Sequence, residues 1–225
     1  MTSCRCCATD QQFDHRLAVH DLRRFHRRGP DPATQQLLDA VRESPLPPGP
    51  TLLDIGGGIG AIQHVLLEHG FARAAQVDAS QAYLAVAATE AARLGHSGRV
   101  SFTHADFRAV APTVEAADVV TLDRVVCCDP DYAGLLGAAA DHTGRLLAFT
   151  YPRARWYTRL YVATMNAWRR LRGEPFRSYI HPPAAMTAVL ERRGLRRRWV
   201  GGTWIWTAEL FERAGRDAPV PADSR

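Results

Sequence analysis

One stretch constrains this chain more than any other: Thr51-Leu-Leu-Asp-Ile-Gly-Gly-Gly-Ile-Gly60, followed about twenty residues later by Gln76-Val77-Asp78. A short apolar run ends in an acid, breaks into a glycine loop and opens a helix over 61–68. A second apolar run then ends in another acid. That order lays a nucleotide-type cofactor across the carboxyl ends of two parallel strands. Glycines let the backbone approach such a ligand closely, and Asp78 is placed to grip the two hydroxyls of a ribose.

The periodicity beyond this stretch alternates regularly. Strands are predicted near 51–55, 74–78, 99–103, 117–122 and 145–150, and helices near 60–69, 80–95, 131–141 and 183–193. Strands alternating with helices of this length imply right-handed crossovers and a mainly parallel sheet. Two strand-like runs, 195–201 and 203–213, are read as a hairpin joined around Gly201-Gly202. Upstream, Phe13, Leu17, Leu22 and Phe25 mark an amphipathic helix that Gly29-Pro30-Asp31-Pro32 stops; a second helix spans about 33–43. The proline-rich run 44–50 is a stiff linker. The expected fold is therefore α/β: a Rossmann-like, mainly parallel, seven-stranded sheet ending in an antiparallel hairpin, with N-terminal helices and a helical insertion as lid. Its parts are a disordered tail (1–12), N-terminal helices and linker (13–50), a main domain (51–213) holding the lid (151–180), and a loose end (214–225).

A chain of 225 residues, 23% charged and 46% hydrophobic, suits one such domain with additions. No apolar run approaches the roughly 18 residues of a transmembrane helix, and the N-terminus carries no signal-peptide core, so a cytoplasmic protein without stable membrane insertion is expected. The net charge is +5, and every basic residue counted with it is arginine. The missing lysine is read as compositional bias. Five cysteines fall in two clusters, Cys4-x-Cys6-Cys7 and Cys127-Cys128. Neither is a CxxC pair, and no metal is expected, although three N-terminal thiols suit a soft metal.

From these motifs the chain resembles the class I S-adenosylmethionine-dependent methyltransferases over roughly residues 35–212. Their glycine motif stands here as Leu53-Asp54-Ile55-Gly56-Gly57-Gly58-Ile59-Gly60. The resemblance implies S-adenosylmethionine as cofactor, with Gly56 and Gly58 under its methionine moiety and ribose and Gly57 and Gly60 in the same loop. Asp54 would hold the loop and the cofactor's amino group, and Asp78, with Ala79 beside it, the ribose. In His104-Ala105-Asp106-Phe107, Asp106 matches the position that contacts the adenine amino group, and Phe107 the one that packs on the ring. Gly56-x-Gly58-x-x-Ala61 also fits a dinucleotide fingerprint, so the glycines alone do not decide. Asp54 does: a carboxylate before the loop suits an ammonium and a sulfonium and repels a pyrophosphate.

In that family the fourth strand end faces both cofactor and substrate. Asp123 (which also joins the cofactor set) and Arg124 are therefore candidates for the transfer site, against ordinary salt-bridging in a loop. Among the histidines placed near strand ends or the insertion (His104, His142 and His181), His181 is the preferred base, against a packing role. Asp129-Pro130-Asp131-Tyr132 is similar to the signature of nucleic-acid amino-methyltransferases, but departs in its third residue and reads more simply as a helix start. The segments from Asp123 to Cys128 and at Tyr151-Pro152-Arg153 loosely resemble magnesium-protoporphyrin O-methyltransferases. The insertion, rich in aromatics and arginines, has three readings. It lines an acceptor pocket through residues such as Arg153, Trp156 and Tyr157; it lies on a membrane surface; or it completes the core with a solvated outer face. The run from Arg192 to Arg198 suits nucleic acid or a charged edge strand equally.

The expected activity is methyl transfer to a small-molecule acceptor, first to oxygen (carboxylate or phenol) and then to nitrogen. The alternatives are a nucleic-acid methyltransferase and a non-methylating protein of the same fold, such as a cyclase. Nucleic acid is not the expected partner, and a homodimer is compatible with the sequence.

Overall fold

The computed structural model describes residues 9, 10 and 12–214. Most of the two expected tails, with Cys4, Cys6 and Cys7, lies outside the described residues. Thr9 and Asp10 are helical, and Asp10 Oδ1 accepts the Gln81 backbone N–H at 2.9 Å.

Seven strands form one sheet: β1 (Thr51–Ile55), β2 (Arg73–Asp78), β3 (Val100–His104), β4 (Ala117–Leu122), β5 (Thr143–Pro152), β6 (Leu195–Gly202) and β7 (Trp206–Arg213). Their order is β3-β2-β1-β4-β5-β7-β6. β1 to β5 pair in parallel, and β7 is antiparallel to both β5 and β6. The order reverses between β1 and β4, which opens a crevice at their carboxyl ends, the usual ligand position in such sheets.

Successive residues of a strand face opposite sides of the sheet, so the central strands, buried on both, are apolar at most positions, with Asp54 and Thr121 as buried polar exceptions near their carboxyl ends. Leu52, Val119 and Leu146 pack with α2 (Pro32–Arg42) and α3 (Ala61–Glu68) on one face. Leu53, Val120 and Leu147 pack on the other with α6 (Tyr132–Asp141) and α8 (Pro183–Glu191). The remaining helices are α1 (His15–Arg28), α4 (Gln81–Arg93), the single turn α5 (Phe107–Val110) and α7 (Trp156–Leu171).

Helix starts follow the local chemistry. Asp14 caps α1 by accepting Leu17 N–H at 2.9 Å, Ser80 caps α4 through Tyr83 N–H, and Asp131 caps α6 through Gly134 N–H. Gly29 ends α1 with φ 70°, a left-handed conformation suited to glycine. α1 then packs on α4 through a small cluster with Phe13, Leu17, Ala18, Tyr83 and Val86. His26 and Arg93 both bind Glu90, at 2.8 and 2.6 Å, and fix the far end of the same contact.

One sequence expectation is corrected here. The turn between β6 and β7 is Thr203–Ile205, and Gly201 and Gly202 lie inside the ladder opposite Ala208 and Thr207. The glycines serve close approach instead: Gln36 of α2 accepts the Gly202 N–H at 2.7 Å, and a Cβ at Gly202 would lie 2.2 Å from Trp206 O.

Candidate active site

A cavity of about 540 Å³ opens where the strand order reverses. One half is built by the strand ends that the sequence singled out. Asp54, Gly56, Gly57, Gly58, Asp78, Ala79, Asp106 and Phe107 all line it, together with Asp123 and Arg124. Gly60 does not; it holds the loop from behind, with φ 80° and its N–H on Gly57 O at 2.9 Å.

Asp54 lies one residue before the end of β1 and is fully buried. Thr121 of β4 donates to its Oδ1 at 2.7 Å, while Oδ2 is buried with no partner. Burial, reinforced by the nearby Asp123 and Asp78 charges and only partly opposed by Thr121, pushes its carboxyl up to about 7. A Cβ at Gly57 would sit 2.5 Å from Oδ2, so glycine at this position keeps that oxygen open. A Cβ at Gly56, whose φ is 64°, would meet Val125 at 2.5 Å. Asp78 ends β2 and anchors the loop, its Oδ2 accepting Gly58 N–H at 2.9 Å and its Oδ1 Ser80 N–H at 2.8 Å. Burial raises its carboxyl, and those two N–H bonds oppose the rise. Asp106 caps the single turn α5 through Arg108 N–H, which sets Phe107 edge-on to His142 with its ring at the cavity wall.

The other half comes from α1, the α1–α2 turn, the loop after β4 and the return loop behind α7. Asp31 accepts two hydrogen bonds from Arg24, at 2.6 and 2.7 Å, and pairs with Arg124 at 2.5 Å. Burial works to raise the Asp31 carboxyl, but the Arg24 hydrogen bonds and the Arg124 charge hold it below the usual carboxylate range. Asp31 stands at the α2 N-cap yet makes no capping bond, because the two guanidiniums take its oxygens. Arg124 has φ 61°, the only positive value outside glycine among the described residues, and its guanidinium lies 4.9 Å from the Trp206 ring centre. Asp123 accepts from Thr34 of α2 at 2.7 Å and from Thr150 of β5. Phe13 stands edge-on to Tyr83 and to Phe176, so it joins α1, α4 and the return loop over the cavity. Tyr83 donates to Asp21 of α1 at 2.6 Å.

Several expected site residues lie elsewhere. His181 is not a cavity-lining residue; its Nε2 sits 2.9 Å from Asp129 O and 3.1 Å from Val126 O, and its ring packs between Tyr132 and Tyr179. Two carbonyls facing one ring nitrogen require a proton there, so Nε2 is a donor that props the loop after β4. His104 contacts Ala79 O, and His142 bridges Ala138 O and Ala111 O. Arg153 is tied to Thr203 O, Tyr157 to Trp204 O, and Trp156 is 75% exposed; none of the three lines the cavity. Lining residues from the insertion come from the return loop, Pro175, Phe176, Arg177 and Tyr179. Tyr132 packs at a tilt against His181 and does not line the cavity, so the Asp129–Tyr132 run offers no aromatic platform there. Cys128 does line it, but hydrogen bonding with Cys127 and burial push its thiol well above the ordinary range and keep it protonated.

Sequence reading missed Arg24, Asp31 and Thr34 as site residues. Gly29-Pro30-Asp31-Pro32 reads locally as a helix stop, and only the return of α1 over the sheet brings its acid to Arg124.

Three acids at successive strand ends around a glycine cradle, on a sheet of this order closed by a reversed hairpin, give the chain the fold of the class I S-adenosylmethionine-dependent methyltransferases. Residues 52–144 match a family model described as a methyltransferase domain. No curated protein sequence matches the chain. Among solved structures it is similar to magnesium protoporphyrin IX methyltransferase from Synechocystis PCC 6803 with bound S-adenosylhomocysteine: 18% identity, 81% of this chain and 84% of that one covered, TM-score 0.63. It is similar also to an O-methyltransferase family protein from Burkholderia thailandensis, at 18% identity over 91% of this chain and 64% of that one, TM-score 0.64. A [4+2]-cyclase shares the fold at 20% identity over 74% and 59%, TM-score 0.56. The residues present fit the cofactor: the unpartnered Asp54 Oδ2 suits an ammonium, and the glycines leave room at the backbone for a ribose and a methionine chain.

Proposed function

We propose that the chain transfers a methyl group to an oxygen of a small molecule, a carboxylate or a phenol, with nitrogen the second choice, in the cytoplasm. One observation carries this reading. Three arginines, Arg24, Arg124 and Arg177, line the acceptor half of the cavity beside Asp21, Asp31, Asp123 and Asp129, and among the described residues no histidine does. A carboxylate is already anionic and needs no general base, and guanidinium forks match it in shape and charge; a phenol must lose its proton, which ranks it behind a carboxylate.

Bound S-adenosylmethionine supplies an electrophilic methyl group. In this assignment Asp54 takes its ammonium on the free Oδ2, while Gly56 to Gly58 carry its backbone-contacting face. Asp78 and Ala79 take the ribose, and Asp106 and Phe107 the adenine. Asp123 and Arg124 lie between the two halves, where Thr34 and Thr150 fix Asp123 and the Asp31 pair holds Arg124. Positioning and exclusion of water dominate such a transfer, and α1 with Phe13 and Phe176 covers the cavity accordingly.

Release of S-adenosylhomocysteine with matched carboxylic acids, phenols and amines sized for the cavity tests the reading. Turnover of acids or phenols supports it. Turnover confined to amines removes the oxygen assignment. Tight cofactor binding with no product from any class favours the second reading, a non-methylating protein, which the likeness to a cyclase motivates.

A further inference from the structure

α7 is anchored along one narrow stripe. Thr158 is its only buried residue, and the chief ties are Asn166 to the Ser178 backbone and Tyr157 to Trp204 O. The outward side is apolar. Trp156, Leu160 and Leu171, separated by close to whole helical turns, share one stripe with Trp168 at its edge, and Leu171 is 87% exposed. Trp204 and Ile205 at the tip of the β6–β7 turn, linked to the start of α7 through Tyr157, add to the same surface; Trp204 is 85% exposed. A helix that hides so little of itself and shows indole and leucine to water is incomplete as it stands.

The charge on this segment selects the partner. Between Asp141 and Glu174 there is no acidic residue and there are seven arginines. Arg159 and Arg170 form the stripe adjoining the apolar one, and Arg155 and Arg172 flank it, all exposed. A second copy seated here would set arginines against arginines. A polynucleotide would answer the arginines but offer nothing to Leu160, Leu171 and Ile205. An anionic bilayer answers both, with phosphates at the headgroup level and hydrocarbon just beneath. We propose that α7 and the β6–β7 turn form a surface that docks the protein on anionic lipid, lying in the interface. The helix is 16 residues long and flanked by arginines, which suits lying on a bilayer.

The test uses the full chain with vesicles of phosphatidylcholine alone or with one-third phosphatidylglycerol, scored by co-sedimentation. The expected result is binding to the anionic vesicles, weakened at least tenfold in W156A/L160A/L171A and also in R159Q/R170Q, with melting temperature unchanged because these side chains are exposed. The proposal is overturned by no binding to anionic vesicles, or by undiminished binding of the apolar triple variant, which makes the attraction one of net charge alone. It is equally overturned by a dimer in sedimentation velocity that the triple variant dissolves, or by RNA competing off the vesicles while the triple variant keeps its RNA affinity.

Discussion

The hydroxyl of Thr121 donates to Oδ1 of Asp54 at 2.7 Å and leaves Oδ2 buried without a partner. A carboxylate held so, with its carboxyl pushed up to about 7, is unfavourable until a cation meets it.

Cofactor affinity therefore depends on pH. Below about 7 Asp54 is protonated and offers an ammonium no charge, so affinity for S-adenosylhomocysteine falls by up to about tenfold per pH unit and levels off above. Calorimetry in two buffers of different ionisation enthalpy detects the proton released on binding. The ligand-free protein shows the opposite trend from this group. Its folded pKa lies above the unfolded one, so the native state binds more protons between about 4 and 7 and loses stability as pH rises. Asp54→Asn raises the melting temperature of the ligand-free protein at pH 8 while abolishing tight binding. A variant that binds as well as the parent sinks the assignment.

Asp78 uses both oxygens on the backbone N–H groups of Gly58 and Ser80, so its loss affects the loop as well as the ribose contact proposed for it. Asp78→Ala weakens S-adenosylhomocysteine binding by about 1–3 kcal/mol. Titration with an unchanged dissociation constant removes Asp78 from the site.

Glu90 locks α1 to α4. Hydrogen bonds from Arg93, joined by His26 against the cost of burial, hold its carboxyl at about 2. That depressed value means stability present above the unfolded pKa of about 4.5 and lost as pH falls towards 2. Glu90→Gln lowers stability at pH 7 by about 1–3 kcal/mol, or about 2–10 °C for a chain of this size. The gap between parent and variant closes between about pH 5 and 2, and thermal melts across that range follow it.

Arg124 carries a side chain at φ 61°, a conformation that costs a non-glycine residue about 1–2 kcal/mol. Arg124→Gly and Arg124→Ala both lose the Asp31 pair and the Trp206 contact, and only glycine relieves the backbone. The glycine variant melts about 2–8 °C above the alanine variant, and both lose turnover of acidic acceptors. Equal melting temperatures show that the backbone there relaxes at no cost.

The strands and crossover helices were legible because periodicity and glycine punctuation are local signals. β1 and β4 fall where the sequence sets them, and β5 is longer because its carboxyl end extends along β7 and Thr143 at its start pairs with β4. Gly201-Gly202 misled for a physical reason: a glycine pair signals a turn or a close approach, and here Gln36 of α2, far away in sequence, decides for approach. His181 misled in the same way. Its neighbours in sequence are prolines, while the two carbonyls that claim its ring belong to the loop after β4.

The sequence by itself determined the half of the cavity built at the ends of β1, β2 and β3, since an acid at a strand end and a glycine cradle act through their own backbone and need little beyond correct strand pairing. Only the tertiary structure decided the other half. Arg24, Asp31 and Arg124 meet because α1 crosses over the sheet end, and the aromatics of α7 face solvent because the return loop, not the helix, reaches the cavity. Contacts between residues far apart in the chain follow from how the elements pack, and no local pattern records them.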